Sequence, residues 1–200
     1  MNKQLCTTAI ALLLPLSLFA DGRSANKVGM VENAVRISNV ENVKGFFGEH
    51  MKLNRDVYLK NFPIDKYVNI VSERKQTAWD WTKAEQHGKW IESAYLSAIQ
   101  SGDKELLAKA EKELYRIIDS QESNGYLGAT AKSYRSDKRP IRGMDPYELY
   151  FVFHALETVY EETGDKRPLE AVKKLADYFL HYFGPGKLEF WPSNLHAPEN

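Results

Sequence analysis

The stretch that decides the fold is MDPYELYFVFHALETVYEETGDK, residues 144–166. It has the length and composition of a helix, and large apolar side chains occupy nearly every position in its middle. A helix on the surface of a soluble protein has one apolar stripe and one polar face. We therefore predict that residues 146–162 form a helix that other parts of the protein cover on nearly all sides.

Residues 88–101 have the same apolar character, and an amphipathic helix is predicted to follow them. Gly102 favours the left-handed conformation that ends a helix. Asp103 is predicted to cap the next helix, residues 104–121, because its carboxylate can accept the free N–H groups of the first turn. Leu and Ile lie on one side of this second helix and Lys and Glu on the other. The two segments together therefore predict a helical hairpin.

The hairpin pattern occurs a second time, 62 residues further along the chain. Gly164 follows the apolar helix, and Asp165 is predicted to cap an amphipathic helix over residues 166–182. The matching apolar positions are Leu107 with Leu169, Ala110 with Val172, Ile117 with Phe179, and Ile118 with Leu180. The chain thus contains an internal repeat with one fully buried and one half-buried helix in each unit.

A repeat of this kind cannot bury its apolar face alone, so neighbouring units must complete the core. Hairpins that pack side by side in a ring meet this need, with the apolar helices inside and the amphipathic helices outside. The predicted fold is mainly α, a partial α/α toroid built of helical hairpins, with a short N-terminal β element. Residues 35–38 and 40–43, where apolar and polar residues alternate, are the predicted strands, and Gly45–Gly48 is a predicted turn.

Three regions are predicted along the chain. Residues 1–20 read as a secretory signal peptide, with a short apolar run ending in Ala20; a retained membrane anchor is the alternative. Residues 21–48 form an N-terminal extended segment, and residues 49–200 form the hairpin region. The only cysteine, Cys6, lies in the signal segment, so the rest of the chain is held together by burial alone.

The hairpin region is predicted to be incomplete. Two hairpins are clear, residues 49–83 hold parts of another, and the stretch after Gly184–Gly186 resembles a loop. We expect the chain to be the N-terminal portion of a longer protein, and a small three-hairpin bundle is the alternative.

Charge and composition narrow the choice of ligand. Lys and Arg together number 27, and so do Asp and Glu, so the net charge is zero. This balance argues against a nucleic acid or an anionic membrane surface as partner. The 11 Tyr and 4 Trp favour a carbohydrate, because their flat rings stack on sugar C–H groups. We expect a secreted or periplasmic protein with a carbohydrate substrate and no membrane contact after signal cleavage; the sequence leaves the oligomeric state unknown.

Candidate substrate-binding residues lie where the apolar helices begin or along them. The set is Trp90, Tyr126, Arg142, Asp145, Tyr147, Glu148 and His154. Asp145 is predicted primarily to be an N-cap before Pro146. Most of the others have a structural alternative: Glu148 as a partner of the helix dipole, and Trp90, Tyr147 and His154 in the core. Residues 132–142 form a mobile basic loop that could bind an acidic sugar. No residues have metal-binding spacing, and no pair of carboxylates stands out as catalytic.

Several short motifs occur in an order that resembles glycoside hydrolase family 127, the β-L-arabinofuranosidase family. They are Gly45-Phe46-Phe47-Gly48, Asn124-Gly125-Tyr126-Leu127, Glu148-Leu149-Tyr150 with His154, and Phe183-Gly184-Pro185-Gly186. The resemblance covers residues 40–190. It implies an α/α six-hairpin catalytic domain with accessory β-structure. That domain is expected to remove L-arabinofuranose or a related sugar from the ends of plant polysaccharides or glycoproteins.

The resemblance also implies a zinc-bound Cys nucleophile and a Glu acid/base, both expected beyond Asn200, so this segment by itself is expected to hold no cofactor and to be inactive. One departure is Tyr147, which stands where the family is expected to have a substrate-contacting His. Two other functions are open: a non-catalytic carbohydrate-binding α/α protein, and a uronyl hydrolase or lyase in which Arg139 and Arg142 hold a uronate.

Overall fold

The computed structural model describes residues 37, 40, 42–77, 84–142 and 144–190. Its α-helices, labelled α1 to α6 in chain order, are Gly45–Leu53, Ile64–Glu73, Glu85–Ser101, Lys104–Asp119, Asp145–Thr163 and Lys166–Tyr182. A π-helical stretch, Asn54–Leu59, continues α1, and a single 3₁₀ turn lies at Lys132–Tyr134. Within these residues there are isolated β-bridges but no regular strand.

The helices pack as two successive hairpins, α3–α4 and α5–α6. The apolar helices α3 and α5 lie side by side and form the most extensive helix pair, while α4 and α6 each cover the apolar helix that precedes them. Helix α2 packs on the other side of the first hairpin, against both α3 and α4. The described residues are thus a partial α/α toroid built of helical hairpins, as the sequence predicts.

Both junctions inside the hairpins have the predicted chemistry. Gly102 and Gly164 end α3 and α5 in the left-handed conformation, with φ of 70° and 73°. The carboxylate of Asp103 accepts a hydrogen bond from the backbone N–H of Leu106, and that of Asp165 accepts one from Arg167. The predicted N-caps of α4 and α6 are therefore confirmed.

The region before α3 differs from the prediction. Gly45–Gly48, predicted as a turn, is the first turn of α1, and helix α2 was not predicted as a separate element. Helix α2 buries Ile64, Val68 and Val71. This helical spacing is short and was hidden by Pro63 and the charged residues around it. Residues 37, 40, 42 and 43 of the predicted N-terminal strands are described and none of them lies in a strand, so that prediction was wrong for these residues. The other residues of those strands, and the whole predicted signal peptide, lie outside the described residues.

Helix α5 is not covered on all sides, so that part of the prediction was wrong. Leu149, Val152, Leu156 and Val159 are buried, but Tyr150 is 56% exposed on the opposite side. The reason is that α3 and α6 flank α5 on two sides only, and no other described element packs on the third side. An apolar groove of about 380 Å³ runs there between α5 and α6.

Candidate functional site

The starts of α3 and α5 meet two loop segments, residues 74–77 and 126–131, at one end of the hairpins. A short backbone ladder joins the loops: the N–H of Gln76 donates to the carbonyl of Ala129 at 3.2 Å, and the N–H of Ala131 donates to the carbonyl of Gln76 at 2.9 Å. This ladder holds the side chain of Gln76 beside the first turn of α5. The candidate site is therefore assembled from four segments that are distant in sequence.

Asp145 is the first residue of α5 and is almost completely buried. Its carboxylate accepts hydrogen bonds from the hydroxyls of Tyr126 at 2.7 Å and Thr130 at 2.9 Å, and from the N–H of Arg142 at 3.2 Å. The prediction that Asp145 caps α5 was wrong, because the helix begins at Asp145 and its side chain turns toward the preceding loop. Burial raises the pKa of Asp145, and the three hydrogen bonds oppose that rise.

The loop before Asp145 is held close to the carboxylate. The Tyr126 hydroxyl, besides donating to Asp145, accepts a hydrogen bond from the N–H of Thr130 at 3.1 Å. A Cβ atom at Gly128 would lie 2.4 Å from that hydroxyl and 3.0 Å from Oδ1 of Asp145. Only glycine fits at this position without displacing Tyr126 or Asp145.

Glu148 lies one turn further along α5 and is 2% exposed. Its Oε1 atom accepts hydrogen bonds from the side-chain amide of Gln76 and from the N–H of Ala84, both at 3.1 Å. Burial raises its pKa to about 7; these two hydrogen bonds oppose the rise, and the charges of Asp145 and Glu85 add to it. Glu148 therefore ties the start of α3 to α5 and changes its protonation close to neutral pH.

Three buried side chains at this end have unused hydrogen-bonding capacity. Oε2 of Glu85, both ring nitrogens of His87 and Oε2 of Glu148 have no hydrogen-bond partner within the described part of the chain. Burial lowers the pKa of His87 to about 3, so its imidazole is neutral. Buried polar atoms are normally satisfied, so these atoms have capacity for partners outside the described part of the chain.

One of the candidate residues, Tyr147, lies at the surface beside this cluster. Tyr147 is 43% exposed and contacts Phe151 edge-on. The ammonium group of Lys89 lies 4.2 Å from the centre of the Phe151 ring and 3.0 Å from a carboxylate oxygen of Glu85. Arg142 is half-buried and faces a separate groove formed by the preceding loop. Tyr147 and Lys89 therefore border the site, while Arg142 joins it through its backbone.

Trp90 and His154 lie away from the helix starts. The indole N–H of Trp90 donates to the carbonyl of Leu59 at 3.1 Å, and the side chain is 3% exposed within the main core. His154 is half-buried on the open side of α5, where its ring meets Tyr150 at 4.5 Å between centres. The structure thus brings together Tyr126, Asp145 and Glu148, and sets Trp90 and His154 apart; sugar binding by any of them stays a prediction.

Gln76 and Thr130 belong to the site but were missed from the sequence. Neither lies in a motif, and both reach the site because loop segments cross the helix starts. The sequence offered one general hint: if Asp145 and Glu148 are buried, other residues must donate hydrogen bonds to them. Trp79, Asp80 and Trp81, which precede α3 in the sequence, lie outside the described residues.

No group of three His, Cys, Asp or Glu side chains that could hold a metal ion occurs within residues 42–77, 84–142 and 144–190. The residues present at the helix starts therefore do not fit a zinc site. In the same part of the chain, none of the helices combines the length and apolar character needed to cross a membrane.

The fold and site define a class of protein: an α/α toroid of helical hairpins with buried carboxylates where the inner helices begin. The chain belongs to glycoside hydrolase family 127, because the family model described as "Beta-L-arabinofuranosidase, GH127 catalytic domain" matches residues 23–194.

Two individual proteins are similar to this chain. A non-reducing end beta-L-arabinofuranosidase of Bifidobacterium longum subsp. longum is 32% identical over 104 residues, which is 48% of this chain and 16% of that protein. A solved structure described as a GH127 beta-arabinofuranosidase has a TM-score of 0.59 at 21% identity, over 82% of this chain and 28% of the other. The structural match shows the shared fold, and the chain spans well under a third of either protein.

Proposed function

We propose that these hairpins are part of an exported glycoside hydrolase of the β-L-arabinofuranosidase type that acts on plant-derived glycans. The observation that carries the proposal is the family match over residues 23–194, which includes every described helix. The name of the Bifidobacterium relative supplies the sugar and its anomeric form. The apolar run at the N-terminus, with its small residue at Ala20, supports export to the periplasm or the outside of the cell.

Within that function, the site formed by Gln76, Asp145 and Glu148 is proposed to hold and orient the sugar. Glu148 is the group best suited to contact it, because one oxygen is fixed by Gln76 and Ala84 while Oε2 has no partner among the described residues. A carboxyl group with a pKa of about 7 can either donate or accept a hydrogen bond to a sugar hydroxyl near neutral pH. Asp145 keeps the loop that carries Tyr126 in place.

The acid, base and nucleophile of the hydrolysis are not assigned to residues of this chain. Asp145 and one oxygen of Glu148 accept hydrogen bonds from donors within the protein, and the described residues do not fit the zinc centre that the family resemblance implies. The proposed role of this segment is therefore substrate positioning, and no chemical step is routed through a metal here.

The proposal is tested by assaying the longer gene product, in which the reading frame continues past Asn200. The 200-residue chain and that product are each incubated with an aryl β-L-arabinofuranoside, and release of the phenol is followed. We expect release by the longer product, none by the 200-residue chain, and a raised KM with little change in kcat for Glu148→Ala in the longer product.

Two results would overturn the proposal. One is a product that binds arabinose-containing oligosaccharides without any turnover, which would make the protein a carbohydrate-binding module. The other is turnover of unsaturated uronides with no activity on arabinofuranosides, which would make it a uronyl hydrolase.

A further inference from the structure

The loop between the two hairpins, residues 132–142, concentrates positive charge in a protein whose total charge is zero. It carries Lys132, Arg135, Lys138, Arg139 and Arg142 against the single acid Asp137. The loop thus has four positive charges in excess among its own residues; one of them, Arg135, is nearly buried and paired with Glu122, and the others lie toward the outside of the loop. A cluster of this density produces a local positive potential that the neutral total conceals.

The loop, which the sequence predicts to be mobile, contacts the body of the protein at several points. The guanidinium carbon of Arg135 lies 3.6 Å from the centre of the Tyr126 ring, and its Nε–H donates to the carbonyl of Thr130 at 3.1 Å. The hydroxyl of Tyr178 donates to the carbonyl of Pro140 at 2.6 Å, and Ile141 is completely buried. These anchors hold the loop backbone in one place before any ligand arrives.

The outer part of the loop forms a tight turn. Ser136 and Arg139 exchange backbone hydrogen bonds of 3.0 and 2.9 Å, which places Asp137 and Lys138 at the tip. Asp137 lies on the side of Tyr182, whose hydroxyl is 3.4 Å from its carboxylate. The acid at the tip therefore has a partner on α6, whereas Lys138 is exposed to solvent.

A groove of about 420 Å³ lies along this loop. It is lined by Ser133, Tyr134, Arg135, Ser136, Lys138, Arg139 and Arg142. Basic groups, two hydroxyls and the 41%-exposed ring of Tyr134 thus share one surface. Arg142 connects the groove to the site, since its N–H donates to Asp145 at the start of α5.

We propose that this groove binds the carboxylates of an acidic polysaccharide, a polyuronate, beside the sugar site. Arg and Lys bind carboxylates by charge-assisted hydrogen bonds, and an exposed tyrosine ring offers the apolar face on which a sugar ring stacks. Each monomer of a polyuronate carries both a carboxylate and a sugar ring, whereas a simple anion could contact only the basic side chains. The choice of a glycan over other polyanions rests on the proposed function, because the groove opens next to the proposed sugar site.

The test measures binding of the 200-residue chain to polygalacturonate and to the same polymer after full methyl esterification. Esterification removes the charge and keeps the sugar rings, so it isolates the carboxylate. We expect at least about tenfold weaker binding to the esterified polymer, and weaker binding to the acid polymer as salt is added. Equal binding to both polymers, or no binding to polygalacturonate, would overturn the proposal.

Matched variants locate the binding surface. Lys138→Gln with Arg139→Gln removes two charges from the groove, and Lys112→Gln with Lys173→Gln removes two exposed charges from α4 and α6. We expect about a tenfold loss of affinity for the groove pair and less than about twofold for the control pair. Equal losses in the two pairs would show attraction by overall charge and no site.

Two further variants separate polyuronate binding from loss of the fold and from general anion binding. Lys138→Gln alone changes an exposed side chain and is expected to retain the fold, with about threefold weaker binding. Tyr134→Ala is expected to weaken polygalacturonate more than inorganic polyphosphate of similar charge. If polyphosphate binds as tightly as polygalacturonate and Tyr134→Ala affects both alike, the groove is a general anion site and the proposal fails.

The outcome is independent of the arabinofuranosidase assay. Polyuronate binding by the groove without arabinofuranoside turnover by the longer product would sink the proposed function and leave the groove assigned. Turnover without polyuronate binding would do the reverse.

Discussion

The two apolar helices α3 and α5 occupy equivalent places in the repeat, yet one is enclosed and the other is open. Each ends in a left-handed glycine and is followed by an aspartate that caps its partner helix. Helix α3 has α2 and the π-helical stretch on one side and α5 on the other. Helix α5 has α3 on one side and solvent on the other, with Tyr150 exposed.

The repeat explains which side of α5 is open. On α3, Gly88 lies against the backbone of Phe151 on α5: a Cβ atom added at Gly88 would be 2.5 Å from the carbonyl carbon of Phe151. Glu92 of α3 accepts a hydrogen bond from Thr158 of α5 at 3.0 Å. Sixty-two residues later these positions are Tyr150 and His154, which lie on the open groove. The face that α3 presents to α5 is therefore the face that α5 leaves uncovered, as expected for a unit of a ring whose neighbours complete its core.

The largest expected difference between the hairpins is in core packing. Ile91 and Phe153 are equivalent in the repeat, but Ile91 is 1% exposed and Phe153 is half-buried beside the groove. We expect Ile91→Ala to lower the free energy of unfolding by about 3 kcal/mol and Phe153→Ala by about 1 kcal/mol. Urea denaturation followed by circular dichroism measures both. Equal losses would mean that the open side of α5 is covered in solution, for instance by a second copy.

The next difference concerns the acid at the start of each helix. Glu148 on α5 corresponds to Gln86 on α3, so only the second hairpin buries a carboxyl group at this position. Its folded-state pKa of about 7 lies above the unfolded value, so the folded protein binds the extra proton between the two values. Stability is therefore highest at low pH in this window and falls as pH rises toward 7.

Glu148→Gln is expected to remove that decline, which amounts to about 2 kcal/mol between roughly pH 5 and pH 7. Thermal or urea unfolding across this range measures it. Glu157→Gln, which changes an exposed acid on the same helix, is the control and is expected to leave the pH dependence unchanged. A parallel pH dependence in wild type and Glu148→Gln would refute the raised pKa.

The helix ends should respond alike in the two hairpins. Gly102 and Gly164 have nearly the same positive φ, and a Cβ at either would meet no other atom within 4 Å. Replacement by alanine should thus cost only the backbone strain, about 1 kcal/mol at each position. Unequal losses, measured by urea denaturation, would show that the two junctions are not equivalent in solution.

The smallest expected effect separates the two capping aspartates. The carboxylate of Asp103 lies 2.7 Å from the ammonium of Lys60, whereas Asp165 accepts a hydrogen bond from the Tyr115 hydroxyl. Asparagine retains the cap at both positions, so Asp103→Asn isolates the ion pair. We expect a loss of about 0.5 kcal/mol that disappears at high salt.

The pH dependence of the Asp103 contribution follows from its pKa. The hydrogen bond from Lys60, followed by that from the Leu106 N–H, lowers the pKa of Asp103. Its stabilising contribution is thus complete above the unfolded pKa and is lost as pH falls through the folded value. Urea titrations of Asp103→Asn and Asp165→Asn at two salt concentrations separate the two aspartates. The same salt dependence in both variants would contradict the assignment of the effect to the ion pair between Asp103 and Lys60.

Sequence reasoning succeeded where local chemistry decides the structure. The four long helices, the glycine and aspartate junctions and the 62-residue repeat all follow from spacing and from the conformations that glycine and aspartate favour. The same reasoning selected Tyr126, Asp145 and Glu148. It could not tell that Asp145 turns back toward Tyr126, because a capping and a buried carboxylate look alike before the partners are placed.

Residues whose roles depend on distant segments were beyond the sequence. Gln76 and Thr130 meet the site through a loop ladder that joins positions more than fifty residues apart. Helix α2 was missed because three buried side chains on a short helix carry a weak periodic signal. Leu180, predicted to match Ile118, is 66% exposed, whereas Ile118 packs partly buried against the core.

The sequence by itself determined that this protein is a repeat of helical hairpins with two apolar inner helices, because helix periodicity and end-capping are local properties. The tertiary structure decided which face of α5 is open, which carboxylates are buried and where the basic loop lies against the site. Burial sets the pKa of Glu148, and burial depends on which distant segments cover a side chain. That is a property of the packed chain and not of any short stretch of it.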